Sequence, residues 1–154
     1  MASTVTSGHR ALRKGRASIV EQVYLLTTVV SDRAPLFAEF ALAVAACRAL
    51  HRTTRSGGLE PVCWVLMPDH LHVLARLVDG DLSNAVGYLK ARIAHAVNNE
   101  RRVDGSVWSR GFHDRALRRE QDLRAMARYI VANPVRAGLV ASVRAYPFWD
   151  AIGL

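Results

Sequence analysis

The chain has 154 residues, 51% of them hydrophobic and 22% charged, a balance that suits one domain with a single sizeable core. No apolar run approaches the roughly 18–20 residues needed to span a bilayer, and the N-terminus MASTVTSGHRALRKGR has no apolar signal region, so a cytoplasmic location is expected. The net charge of +8 and pI near 10.5 point to a polyanionic partner. Of the 21 basic residues 19 are Arg, which binds phosphate through a planar, bidentate fork.

In chain order, residues 1–18 are polar and basic, with Arg10, Arg13, Lys14 and Arg16 close together, and read as an arm that orders on phosphate. VYLLTTVV (23–30) is short and β-branched and predicts a strand. Ser31-Asp32-Arg33-Ala34-Pro35 then opens a predicted helix carrying Phe37, Phe40, Ala41, Val44 and Cys47, which ends near Arg55 before SGG (56–58). PVCWVLM (61–67) and HLHVLARL (70–77) predict two strands joined by a Pro68-Asp69 turn. Asp81 is the expected N-cap of a helix with Leu82, Ala85, Val86, Leu89, Ile93 and Val97 on its core stripe, running to about Asn99. VWSRGFHDRALR (107–118) has strand character on both sides of Gly111, and a third helix is predicted from about Glu120 to Asn133. The tail, with Pro, Gly and three aromatics, is expected to pack over the core. Cys47 and Cys63 lie in apolar stretches and are expected as buried free thiols, as suits a reducing compartment. The order β-α-β-β-α-β-α predicts an α+β fold of the ferredoxin-like, split β-α-β type: an antiparallel sheet with helices packed on one face.

Alternate side chains of a strand share a face, so His70 and His72 project together while Leu71 points into the core. Their Cα atoms sit roughly 6–7 Å apart, which lets both rings reach one cation. Two ligands leave a coordination sphere incomplete, so a third protein group is required. Tyr129 and Asn133, at i and i+4, are neighbours on the flank of the third helix's apolar stripe, and Asn133 could supply a neutral oxygen. The structural alternative is a surface histidine pair, a half-buried tyrosine, and an asparagine that ends a helix before Pro134.

MPDHLHVL (67–74) resembles the histidine–hydrophobic–histidine motif of the HUH single-strand endonucleases, in the form found in small bacterial single-tyrosine (IS200-like) transposases. RKGRAS (13–18) resembles the Gly-Arg-x-Ser signature of REP-associated tyrosine transposases. VWSRGFHDRALR (107–118), YIVANPVRAGLV (129–140) and YPFWDA (146–151) resemble their later blocks, in the same order. The resemblance implies the HUH endonuclease fold, with a basic DNA-contacting arm at 1–18 and a catalytic domain over 19–154. It implies a nuclease and strand transferase that cuts single-stranded DNA at REP-type hairpins through a 5′-phosphotyrosine intermediate. In that reading Tyr129 is the nucleophile, His70 and His72 bind a divalent metal, Mg²⁺ or Mn²⁺, and Asn133 stands where mobile relatives carry a Gln ligand. Asn is one methylene shorter, and Pro134 is expected to push Asn133 out of helical geometry. Because histidine ligands must be neutral, metal affinity is expected to fall below roughly pH 6.5.

The expected DNA contacts are Arg13, Lys14, Gly15, Arg16 and Ser18 on the arm, with Arg115 and Arg118 near the last strand. The expected partner is single-stranded DNA with REP-like hairpins, bound by a monomer or a homodimer with no membrane association. Trp108 is expected in the core and His113 as a DNA contact or a plain surface residue. The competing expectation is a domesticated module on the same fold that binds single-stranded nucleic acid without cutting it. Such a module has no need of His70, His72 and Tyr129 together.

Overall fold

The computed structural model describes residues 18–53 and 57–152. Five strands form one sheet: β1 (Val23–Val29), β2 (Leu59–Leu66), β3 (His70–Leu77), β4 (His113–Leu117) and β5 (Trp149–Ala151). Their order across the sheet is β4-β1-β3-β2-β5, and every pairing is antiparallel. The strands that carry the histidines and their neighbours are therefore central, where both edges are hydrogen-bonded and side chains are held best.

Burial alternates along β1, with Tyr24, Leu26 and Thr28 turned into the main core. In β2 the alternation disappears, because both of its faces are covered. On one face lie α1 (Phe40–Arg52) and α2 (Leu82–Arg101). Leu42, Ala46 and Leu50 of α1, with Val86, Leu89, Ile93 and Val97 of α2, close over Leu26, Trp64, Leu71, Val73 and Leu77. Each such large side chain stabilises the fold by about 1.5–3 kcal/mol on full burial. Asp81 caps α2 by accepting from the Asn84 N–H at 2.9 Å, as its position predicts. At Gly58 the backbone has φ +91°, and a Cβ would lie 2.9 Å from the Asp79 carbonyl oxygen, so only glycine lets this chain start β2 against the turn after β3.

The opposite face carries a smaller core. Here α3 (Glu120–Val131) lays Ala127 and Ile130 over Cys63, Val65 and Leu74, and Tyr146 of the tail completes the layer. The two long helices share one face as expected; α3 adds cover to the other, which places it over the histidine side of β3. A four-residue helix, α4 (Asn133–Arg136), follows after Ala132.

Four expectations change in detail. The first helix begins at Phe40, not at residues 31–35. Asp32 and Arg33 have positive φ, so residues 31–38 form two separate 3₁₀ turns instead. Only the part after Gly111 is a strand, while Trp108 makes a single bridge to Val30 and is buried against Phe37. The third helix ends at Val131 and restarts at Asn133, so Asn133 opens a helical turn with Pro134 in its first positions. The tail packs over the core as expected, and it also adds β5 to the sheet edge and donates the Tyr146 hydroxyl to the Leu66 carbonyl. Cys47 and Cys63 are free thiols, and burial pushes both up to about 12. Among the described residues no helix is long and apolar enough to cross a membrane.

Candidate active site

His70 and His72 lie on the face of β3 that α3 covers, with ring centroids 4.8 Å apart and planes at 79°. Leu71 between them is fully buried on the other side, as the alternation requires. Strand register sets the neighbours: Thr27 of β1 and Val65 of β2 stand opposite His72, and Val29 stands opposite His70.

Both rings are held through Nδ1. Asp69 Oδ1 lies 2.7 Å from His70 Nδ1, and Thr27 Oγ1 lies 2.8 Å from His72 Nδ1. When each Nδ1–H donates to these oxygens, each Nε2 keeps its lone pair, which is the arrangement a metal-binding imidazole needs. Arg33 stands 3.5 Å from the other oxygen of Asp69. Burial alone would raise the Asp69 carboxyl, but the His70 hydrogen bond and the charges of His70 and Arg33 hold it below the usual range. Arg33 reaches Asp69 from a left-handed backbone conformation, φ 51°, one residue after Asp32 at φ 58°. Consecutive left-handed non-glycine residues are costly, and here they sit beside the site.

His72 is lowered to about 4, first by burial and then by the charges of His70 and Arg136. It is therefore neutral at pH 7 and ready to ligate. Its own protonation falls below the pH 6.5 expected from an unperturbed ring, because burial and the nearby Arg136 charge disfavour the imidazolium.

Tyr129 is 60% exposed on α3, an unusual position for a phenol flanking an apolar stripe. The guanidinium carbon of Arg136 lies 3.8 Å from the centre of its ring. The same guanidinium donates from Nη2 to Asn133 Oδ1 at 3.1 Å. Tyr129, Asn133 and Arg136 thus form one cluster, and the Arg136 charge reaches His72. Among the described residues no set of three His, Cys, Asp or Glu side chains could hold a metal. A cation at the histidine pair would need a donor of another kind, and the amide oxygen of Asn133 keeps a lone pair for it. Two imidazole nitrogens and one neutral oxygen fit a divalent cation of intermediate softness.

Arg115, Arg118 and Arg119, with Met126 and Tyr129, line an open cleft of about 580 Å³ between β4 and α3. A second cleft of about 460 Å³ shares Leu117, Arg118 and Arg119 and reaches Ile19, near the point where residues 1–17 join. A basic groove therefore runs from that end toward the tyrosine. Ser18 accepts from the Leu82 N–H at 2.9 Å and so caps the start of α2 together with Asp81. Arg13, Lys14, Gly15 and Arg16 lie outside the described residues. His113 is exposed on β4 and pairs in register with Thr27, one strand further from His72.

Sequence reasoning missed Thr27, Asp69, Arg33 and Arg136. Asp69 and Arg136 had local signals, since one adjoins His70 and the other lies two helical turns beyond Tyr129. Thr27 had none, because its partner is 45 positions away and only the sheet brings them together.

A profile of the family described as "Transposase IS200 like" matches residues 18–133. A REP-associated tyrosine transposase of Escherichia coli (strain K12) is 30% identical over 102 residues, 65% of this chain. The match spans 59% of that relative's length. A solved structure of a REP-associated tyrosine transposase bound to a REP hairpin is 27% identical. It superimposes with a TM-score of 0.67 over 87% of this chain and 79% of its own. A structure from Deinococcus radiodurans, 20% identical, with a TM-score of 0.54 over 75% of this chain and 92% of its own, shares the fold.

Proposed function

Since the chain belongs to the IS200-like transposase family, we propose that it is a divalent-metal-dependent single-stranded DNA endonuclease and strand transferase acting on REP-type hairpins. The observation that carries this reading is that two Nδ1-anchored imidazoles lie on the sheet face that α3 covers, while α3 carries an exposed Tyr129 beneath Arg136, whose charge reaches His72. Residues 19–154 act as the catalytic domain and 1–18 as a DNA-contacting arm, in the cytoplasm. The relative bound to a REP hairpin supports the substrate class.

Tyr129 Oη attacks a phosphorus of single-stranded DNA, the bond to the 3′-oxygen breaks, and the phenol proton leaves. The products are a 5′-phosphotyrosine bond and a free 3′-OH. A second 3′-OH attacking that bond releases Tyr129 and joins the strands, and no ATP is needed because one phosphodiester replaces another. A protonated phenol is a weak nucleophile and relies on its surroundings for activation. His70, His72 and Asn133 would hold Mg²⁺ or Mn²⁺, which supplies Lewis-acid polarisation of the phosphoryl oxygen. All three donors are neutral and leave the cation its full charge. Arg115 and Arg118 contact the strand in the groove. Arg13, Lys14, Gly15, Arg16 and Ser18 meet the hairpin foot, and Ser18 is held at the start of α2 by the Leu82 N–H.

The test is covalent capture. Wild type, Tyr129→Phe and His70→Ala are mixed with Mn²⁺ or Mg²⁺ and end-labelled hairpin oligonucleotides, then run under denaturing conditions. A protein–DNA band with wild type alone is expected. Hairpin binding with no band under either metal would replace the enzyme with a non-cleaving binding module.

A further inference from the structure

Arg136 has no part in that reaction, yet it contacts both Tyr129 and Asn133. It closes α4, is exposed, lies flat enough on Tyr129 to bring Cζ within 3.8 Å of the ring centre, and bonds to Asn133. A long exposed side chain does not hold two partners at once without a geometric match. The planar guanidinium supplies one, since its face stacks on an aromatic ring while its edge donates in plane. An exposed phenol on a helix surface is otherwise free to rotate about χ1, and a nucleophile that rotates seldom stands in line with its target.

We propose that Arg136 is the positioning residue of the nucleophile: stacked on Tyr129 and bonded to Asn133, it fixes the phenol relative to that amide oxygen. This rests on Tyr129 being the nucleophile. Helical spacing makes it possible. Ala132, between α3 and α4, keeps right-handed helical geometry, so residues 129, 133 and 136, at i, i+4 and i+7, stay on one face across the junction. Lysine, a point charge without a stacking face, does not replace it.

Two measurements on the full chain test this. The first needs neither DNA nor metal. In protein labelled with ¹³C at the tyrosine ring, the Tyr129 signal, identified by its loss in Tyr129→Phe, is expected to shift in Arg136→Ala and Arg136→Lys. It is expected to stay in place in Arg144→Ala. An unmoved signal in Arg136→Ala overturns the clamp whatever the activity.

The second is the single-turnover rate of adduct formation at saturating Mn²⁺ with a REP-hairpin oligonucleotide. Arg136→Ala and Arg136→Lys are expected to slow it about a hundredfold, with hairpin Kd and melting temperature unchanged. Free guanidinium, but not urea, is expected to restore part of the Arg136→Ala rate. A wild-type rate in Arg136→Ala, or a loss matched by an equal loss of hairpin affinity, overturns the positioning role. If wild type and Tyr129→Phe both lack an adduct while the Tyr129 signal still shifts, the nucleophile assignment has failed. Arg136 is then only a packing contact, and the proposal falls with it.

Discussion

His72 combines a low proton affinity with a half-buried place on a central strand, and this has a measurable effect on stability. In the unfolded chain the ring titrates near its ordinary 6.5; in the fold it titrates at about 4. Between those values the unfolded chain binds more protons, so stability falls as pH drops through 6.5 toward 4 and levels off below. Across that window the loss is at most about 3 kcal/mol. Urea melts of metal-free protein from about pH 7 to about pH 4.5 are expected to show this slope, and His72→Asn to flatten it. An equal slope in the variant would place the acid sensitivity elsewhere. Asp69 offers a second test at this scale. Its carboxylate lies 2.7 Å from His70 Nδ1 and orients the ring, and an Nδ1–H donated to it leaves Nε2 free to ligate. Asp69→Asn is expected to weaken Mn²⁺ binding by about 10–100-fold in calorimetric titration while leaving the melting temperature near wild type. Unchanged affinity would mean that the sheet alone orients the ring.

At the scale of elements, what was legible in the sequence follows from how local each signal is. β3 is found to the residue, because HLHVLARL alternates and is bounded by turns. The helix α2 is found because Asp81 caps it and six apolar residues keep its period. β5 is invisible to such reasoning: three residues carry no period, and Trp149 joins the sheet only because β2 presents an open edge. The break after Val131 is hidden in the same way, since Pro134 signals an end without saying that a new turn follows. The segment before β4 also has no period of its own. It is held by Lys90 of α2, whose Nζ donates to the carbonyls of Ser109 and Gly111 at 3.0 and 2.8 Å, while Trp108 Nε1 donates back to the Lys90 carbonyl. Burial lowers the Lys90 ammonium from its usual value, and the two carbonyls are its compensation. Lys90→Met is expected to cost about 2 kcal/mol, read as a lower urea midpoint at unchanged slope. A loss below about 0.5 kcal/mol would show that the segment holds itself.

For the whole molecule, a net charge of +8 predicts binding that weakens steeply with salt. The charge is not spread evenly about the site, because Arg115, Arg118 and Arg119 gather along the cleft that leads to Tyr129. Each phosphate neutralised on a single strand contributes about 0.7 to the slope of log affinity against log salt. Arg118→Ala is expected to reduce that slope by about that amount and to weaken all sequences alike. A variant that alters sequence preference while keeping the slope would make Arg118 a reader of bases instead.

The sheet has a thick core on one side and a thin one on the other, and Tyr129 rides on the thin side. Its helix is anchored by Ala127 and Ile130, whereas α2 buries six residues. Opening free energies should differ accordingly. Amide protons of α2 are expected to exchange with solvent only when the whole chain unfolds, and those of α3 through an easier partial opening that leaves the histidine strand intact. The histidine pair would then belong to one cooperative unit and Tyr129, with Asn133 beside it, to another, and how often they meet would be a population that DNA or temperature can shift.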